Sequence, residues 1–185
     1  MNRINEVFFR KKKNVLNIYF TAGYPNIDDT LRIARALQAA GTDIIEIGIP
    51  YSDPIADGPT IQDSSQKALN AGMSLKLLIM QLQDLRKHIS IPVILMGYVN
   101  PVLQYGFVEF CQDCKEVGID GVILPDLPLQ EYMEMYQRTF EKYGLYNIFL
   151  ITPQTSWRRI LRINQVSKGF IYMVSSASIT GAKQG

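Results

Sequence analysis

A parallel β-sheet covered by helices is the architecture this sequence predicts, and three observations predict it. Short β-branched runs alternate with longer amphipathic segments along the whole chain. The short runs are apolar on both faces, as strands buried between layers are. Turn-forming residues gather just past the C-terminal end of each run: Thr21-Ala-Gly, Pro50-Tyr-Ser-Asp, Tyr98-Val-Asn-Pro, Pro125-Asp, Thr152-Pro and Ser175-Ser.

The elements follow in order. Residues 2–9 predict a helix, with Ile4, Val7 and Phe8 on one face. Residues 15–20 predict the first strand. Asp28 and Asp29 suit the first turn of a helix that runs to Ala40, is striped by Ile33, Ala34, Leu37 and Ala40, and is closed by Gly41. Residues 44–49 form the second strand, and a loop over 51–59 follows it. Helices are expected over 60–70 and 74–88, and a third strand over 92–97. Next come a helix over 107–118 ended by glycine, a strand over 121–124 and a helix over 129–143. A strand over 147–151, a helix over 157–166, a strand over 169–174 and a polar tail over 175–185 complete the chain.

This is one βα unit repeated six times, with no internal linker, so residues 1–185 are expected to form a single domain. Turn chemistry concentrated at the strands' C-terminal ends is the pattern of a (β/α)₈ barrel, whose active site lies at that end. A doubly wound open sheet would often show a glycine fingerprint after its first strand. Thr21-Ala-Gly-Tyr-Pro25 is not one.

Several functions are set aside by residue types. A net charge of +2 gives no strong field for nucleic acid or an anionic membrane. Lys11-Lys12-Lys13 reads as a solvated turn. The N-terminus lacks a signal peptide's apolar core, and no apolar stretch reaches the ~18 residues of a membrane span, so a cytoplasmic location is expected. Cys111 and Cys114 form C-x-x-C, but they share a helical spacing with Phe107, Phe110 and Val117, which reads as core filling rather than a metal or redox pair. One histidine, His88, excludes an imidazole metal cluster. No lysine lies in an expected strand, and there is no nucleophile elbow or P-loop.

Carboxylate chemistry remains. Glu46 stands alone in Ile44-Ile-Glu-Ile-Gly-Ile-Pro50, an otherwise apolar strand. Burial there raises a carboxyl's pKa and equips it as a general acid and base. Asp57, in the following loop, supplies a second acid. A buried glutamate held by a structural arginine or lysine is the alternative.

Five stretches, spread over the chain in order, resemble the α subunit of tryptophan synthase. They are Tyr19-Phe-Thr-Ala-Gly-Tyr-Pro25, Glu46-Ile-Gly-Ile-Pro-Tyr-Ser-Asp-Pro-Ile-Ala-Asp-Gly-Pro-Thr-Ile-Gln62, Met96-Gly-Tyr-Val-Asn-Pro101, Leu124-Pro-Asp-Leu-Pro128 and Ser175-Ser-Ala-Ser-Ile-Thr-Gly181. The second is the most specific. The resemblance implies a TIM barrel that splits indole-3-glycerol phosphate into indole and glyceraldehyde 3-phosphate by a retro-aldol reaction. It also implies an αββα heterotetramer in which indole passes to the β subunit. No cofactor is implied in the α subunit; pyridoxal phosphate belongs to the β partner. Glu46 and Asp57 match the catalytic pair, with Asp57 expected to stay ionised in a polar loop and accept the indole N1–H. Phe20, Met96, Tyr98 and Ile123 are expected to wall the indole. Tyr172 matches a tyrosine near the glycerol phosphate. Thr180 and Gly181 match a mobile loop, and Asp53 and Pro54 a contact with the β subunit.

The sequence stops at Gly185, whereas such a barrel runs to about 250 residues. The expectation is a piece of a longer protein, lacking strands seven and eight and most of the phosphate site. Two other functions compete: a neighbouring phosphate-binding barrel enzyme, and a non-catalytic module that docks on and activates a β-type partner.

Overall fold

A computed structural model of the chain describes residues 1–54 and 57–175. Among them, helix α1 (Arg3–Arg10) precedes strand β1 (Asn17–Thr21), followed by α2 (Thr30–Ala39), β2 (Ile44–Gly48), α3 (Pro59–Asn70) and α4 (Leu75–Gln81). A 3₁₀ turn, α5 (Leu85–His88), β3 (Val93–Met96), α6 (Val99–Tyr105), α7 (Phe107–Val117) and β4 (Gly121–Ile123) come next. Then α8 (Leu129–Glu131), a π-helical stretch (Tyr132–Tyr136), α9 (Gln137–Tyr143), β5 (Tyr146–Asn147), β6 (Leu150–Ile151), α10 (Trp157–Val166) and β7 (Tyr172–Met173).

Strands β1 to β5 pair in sequence order, each parallel to the last, and β6 pairs in parallel with β7. The expected fifth strand is thus divided, but the hydrogen-bond ladder is handed across the gap. Ile148 N–H still donates to Val122 O (2.9 Å), while Phe149 O already accepts from Tyr172 N–H (2.8 Å). The six expected strand positions therefore form one curving run of parallel pairs, the arc of a (β/α)₈ barrel.

Two apolar clusters divide the strand residues by parity. Ile45, Ile47, Val93, Leu95 and Val122 pack outward against the helices. Ile44, Ile94, Ile123 and Ile148 face the barrel interior, with Ile4 and Val7 of α1 among them. Helix α1 stoppers the N-terminal end of the barrel. Asn2 caps it by accepting from Ile4 N–H (3.0 Å), and the same side chain donates to Asp120 O (2.8 Å). Asp120, 3% exposed, fastens this end: it accepts from Arg3 (3.0 Å), Arg86 (2.6 Å) and Val93 N–H (2.9 Å).

Three expectations need correction. Tyr98-Val-Asn-Pro101 is not only a turn, because Val99 opens α6; Pro101 falls in its first turn, where no intrahelical N–H bond is lost. The helix over 74–88 is broken by the 3₁₀ turn Leu82–Asp84, and that over 129–143 by the π-helical stretch that seats Tyr132 against Phe149 and Phe140. The last strand contracts to Tyr172–Met173, where it has only β6 to pair with among the described residues.

Cys111 and Cys114 are free and fully buried on α7, and burial pushes the Cys111 thiol up to about 12. They fill core, as their spacing indicated. Gly118 closes α7 at φ 89°, a left-handed conformation that glycine takes without strain.

Candidate active site

Parallel register stacks the interior into layers. Tyr19, Glu46, Ile94 and Gly121 lie side by side in one layer; Thr21, Gly48, Met96 and Ile123 form the next layer toward the C-terminal mouth. Asn17 and Ile44 lie one layer below Glu46.

Glu46 is 3% exposed. Burial holds its carboxyl above the usual range, partly offset by Asn17, whose Nδ2 donates to Oε2 at 2.7 Å. No lysine or arginine pairs with it among the described residues, so the structural ion pair considered from sequence is not what holds this acid.

Asp57 approaches from the loop after β2. It is half-buried, and its Oδ2 accepts from the Tyr98 hydroxyl at 3.1 Å. Burial raises this carboxyl too, and the Tyr98 bond opposes the rise. The acid expected in a polar loop is thus less hydrated than that reading implied: Asp57 lies beside the Tyr98 hydroxyl in a partly dry cleft. Tyr98 in turn stacks on Tyr51 (ring centroids 5.1 Å apart), and Asn100 donates to the Tyr51 hydroxyl (3.2 Å).

Tyr19 is the residue on which both acids converge. Its pKa is pushed up to about 12, first by burial and further by the negative charges of Asp57 and Glu46, against a hydrogen bond with Thr21. Its hydroxyl lies 3.4 Å from Thr21 Oγ1, which is 2.7 Å from Ser64 Oγ. That hydroxyl rests over Gly48, where a Cβ would stand 2.1 Å from it. Glycine is therefore what admits the ring end between the acids. Tyr19, Asp57, Met96, Gly97, Tyr98 and Pro125 line one cleft at the C-terminal mouth. Its free volume is about 10 Å³, room for about one water. A ligand of indole size needs more room than this.

The other expected site residues divide. Met96 lines the cleft, and fully buried Ile123 packs beside it in the same layer. Tyr172 is half-buried and faces the interior, its pKa raised by burial and by the charge of Glu46. Asp53 is exposed and Pro54 partly so, on the loop between β2 and Asp57. Thr180 and Gly181 lie outside the described residues. Phe20 does not wall the cleft: it packs against the helix-side cluster. Strand parity sends Phe20 outward and Tyr19 inward. The signal that could have separated them was the pair of polar residues Asn17 and Thr21, which share Tyr19's parity.

The family profile described as "Tryptophan synthase alpha chain" matches residues 7–185. The tryptophan synthase alpha chain of Flavobacterium psychrophilum is 59% identical over 185 residues, covering 100% of this chain and 73% of the relative. That of Bacteroides thetaiotaomicron is 52% identical over 184 residues, covering 100% and 72%. Among solved structures, tryptophan synthase subunit alpha from Legionella pneumophila superposes with a TM-score of 0.90 at 40% identity, over 97% of this chain and 70% of the other. A chain of Mycobacterium tuberculosis tryptophan synthase also gives 0.90, at 33% identity, over 99% and 72%.

Proposed function

Because this chain belongs to the tryptophan synthase alpha chain family, we propose that it cleaves indole-3-glycerol phosphate to indole and glyceraldehyde 3-phosphate. The observation that carries the reading is the setting of two acids about one tyrosine: Glu46 is the cross-strand neighbour of Tyr19 inside the barrel, and Asp57 lines the same cleft as Tyr19 at the mouth.

The reaction needs a proton placed on indole C3, a proton removed from the C3′ hydroxyl, and support for the positive charge that develops on the ring nitrogen. Glu46, whose carboxyl its dry surroundings hold above the usual range, delivers the first proton. The carboxylate left behind collects the hydroxyl proton as the C3–C3′ bond breaks and the electron pair returns to the ring. Asp57 accepts the N1–H bond, which strengthens as charge grows. Met96 and Tyr98 flank the ring, and Tyr172 stands on the Glu46 side for the glycerol phosphate. These steps, two proton transfers and one carbon–carbon cleavage, call on no cofactor in this subunit; pyridoxal phosphate is assigned to the partner. Asp53 and Pro54, on the loop that leads to Asp57, are proposed to meet a β subunit in an αββα assembly, which places partner contact and the second acid on one segment.

The test is indole release from indole-3-glycerol phosphate, with and without a β subunit. Glu46→Gln should lower the rate by about 10²–10⁴-fold, the usual worth of a general acid–base group. Undiminished release from a natively folded variant excludes the assignment. Co-elution with the β subunit without any release would favour the docking module instead.

A further inference from the structure

Asn17 has no part in the chemistry above, yet its placement is unusual for a strand residue in a barrel core. It lies on the interior face of β1, diagonal to Glu46, and its amide donates to Glu46 Oε2 at 2.7 Å. The other end of the same amide, Oδ1, is buried with no hydrogen-bond partner among the described residues. A buried orphan acceptor is costly, and an aliphatic residue like neighbouring Ile44 or Ile94 would fill the space without that cost. Two other side chains, Gln81 and Asn147, also carry orphan oxygens, but neither bonds an ionisable group among the described residues.

We propose that Asn17 is a positioning residue for Glu46, a pivoting amide that meets the carboxyl in both of its protonation states. An ionised carboxyl can only accept, and Nδ2 supplies the donor. A protonated carboxyl must also donate its O–H, and Oδ1 is the free acceptor one rotation of the amide away. The orphan oxygen is thus the resting half of a two-state partner. An aliphatic replacement would remove the hydrogen-bond partner that the carboxyl has among the described residues. The other groups facing Glu46 are Tyr19 and Tyr172, which stay neutral through the working range because burial and nearby charge raise both. From α1, which packs beneath, come apolar Ile4 and Val7, while Arg3 is engaged with Asp120.

The inference rests on the proposed role of Glu46, but its test does not need turnover. The Glu46 carboxyl carbon is followed by ¹³C NMR across pH and assigned with Glu46→Gln. Asn17→Val should shift its titration to higher pH, because the bond to the ionised carboxyl is charge-assisted and outweighs the one to the protonated form. Asn17→Asp, nearly isosteric and so a safeguard should the valine variant fail to fold, should shift it further through like charge. In the unaltered protein, the Asn17 side-chain amide signals should titrate with the same midpoint as the Glu46 carbon. The pH profile of kcat/KM for indole release should move with the carboxyl in each variant. A Glu46 midpoint indifferent to both substitutions, or an amide that ignores the Glu46 titration, overturns the proposal. If the unaltered protein releases no indole while the coupled titration is seen, the Asn17 assignment stands and the lyase reading falls.

Discussion

Gly48→Ala is the substitution that most directly probes how the two acids are brought together. An added Cβ would meet Tyr19 at 2.1 Å from Oη, 2.6 Å from Cζ and 2.8 Å from Cε2, against ordinary contacts beginning at 3.4 Å. The tyrosine ring end must therefore retreat by about an ångström, and displacement on that scale at a reacting centre costs ~10²-fold in rate. Crowding of this kind in a packed interior also costs ~1–3 kcal/mol. Urea denaturation and indole release measure the two effects on one sample. The decisive arm is Tyr19→Leu, which removes the ring. If the clash is the cause, Gly48→Ala should cost far less stability in the leucine background, a coupling of about 0.5–3 kcal/mol. Strictly additive losses would refute the reasoning and place the role of Gly48 in the backbone instead.

Other outcomes follow from the same geometry. Asp120→Ala strands the Arg86 guanidinium, whose side chain is only 19% exposed, and should destabilise the protein by about 3–5 kcal/mol in urea titrations. The raised Glu46 carboxyl means that the folded state holds a proton the unfolded chain has released. Its contribution to stability therefore falls as pH rises from the unfolded value near 4.5 through the folded one. Glu46→Gln should flatten that part of the stability profile, and an unchanged slope would count against a buried, proton-retaining acid. Cys111 and Cys114 should resist thiol reagents at pH 8 in the native protein and react together on unfolding.

Much of the barrel was legible because period and punctuation agree. Val93-Ile-Leu-Met96 and the Gly118 stop admit few other readings. Glu46 stood out as a candidate because a lone acid in an apolar strand has few structural uses, and the structure buries it with no lysine or arginine beside it among the described residues. Which face of β1 looks inward was harder to read: each face carries an aromatic ring, and only the polar Asn17 and Thr21 mark the side of Tyr19, which the register sets beside Glu46. The partial dryness of Asp57 was hidden for a different reason. It depends on Tyr98, which is distant in sequence and arrives from β3's end of the barrel. The division of the fifth strand reflects the change of pairing partner from β4 to β7, a tertiary demand with no local signature.

The stopper at the base of the barrel has a consequence for how the molecule is assembled. Helix α1 finds its partners far along the chain: Arg3 binds Asp120 across 117 positions, Asn5 binds Tyr146 across 141, and Ile4 abuts the backbone of Gly169. Contacts of such separation are disfavoured early in folding, because closing a long loop costs entropy before other contacts reward it. The helix thus waits, amphipathic and unclaimed, until the floor it seals has been built, and the rate of that last docking step should govern how quickly Glu46 loses its water.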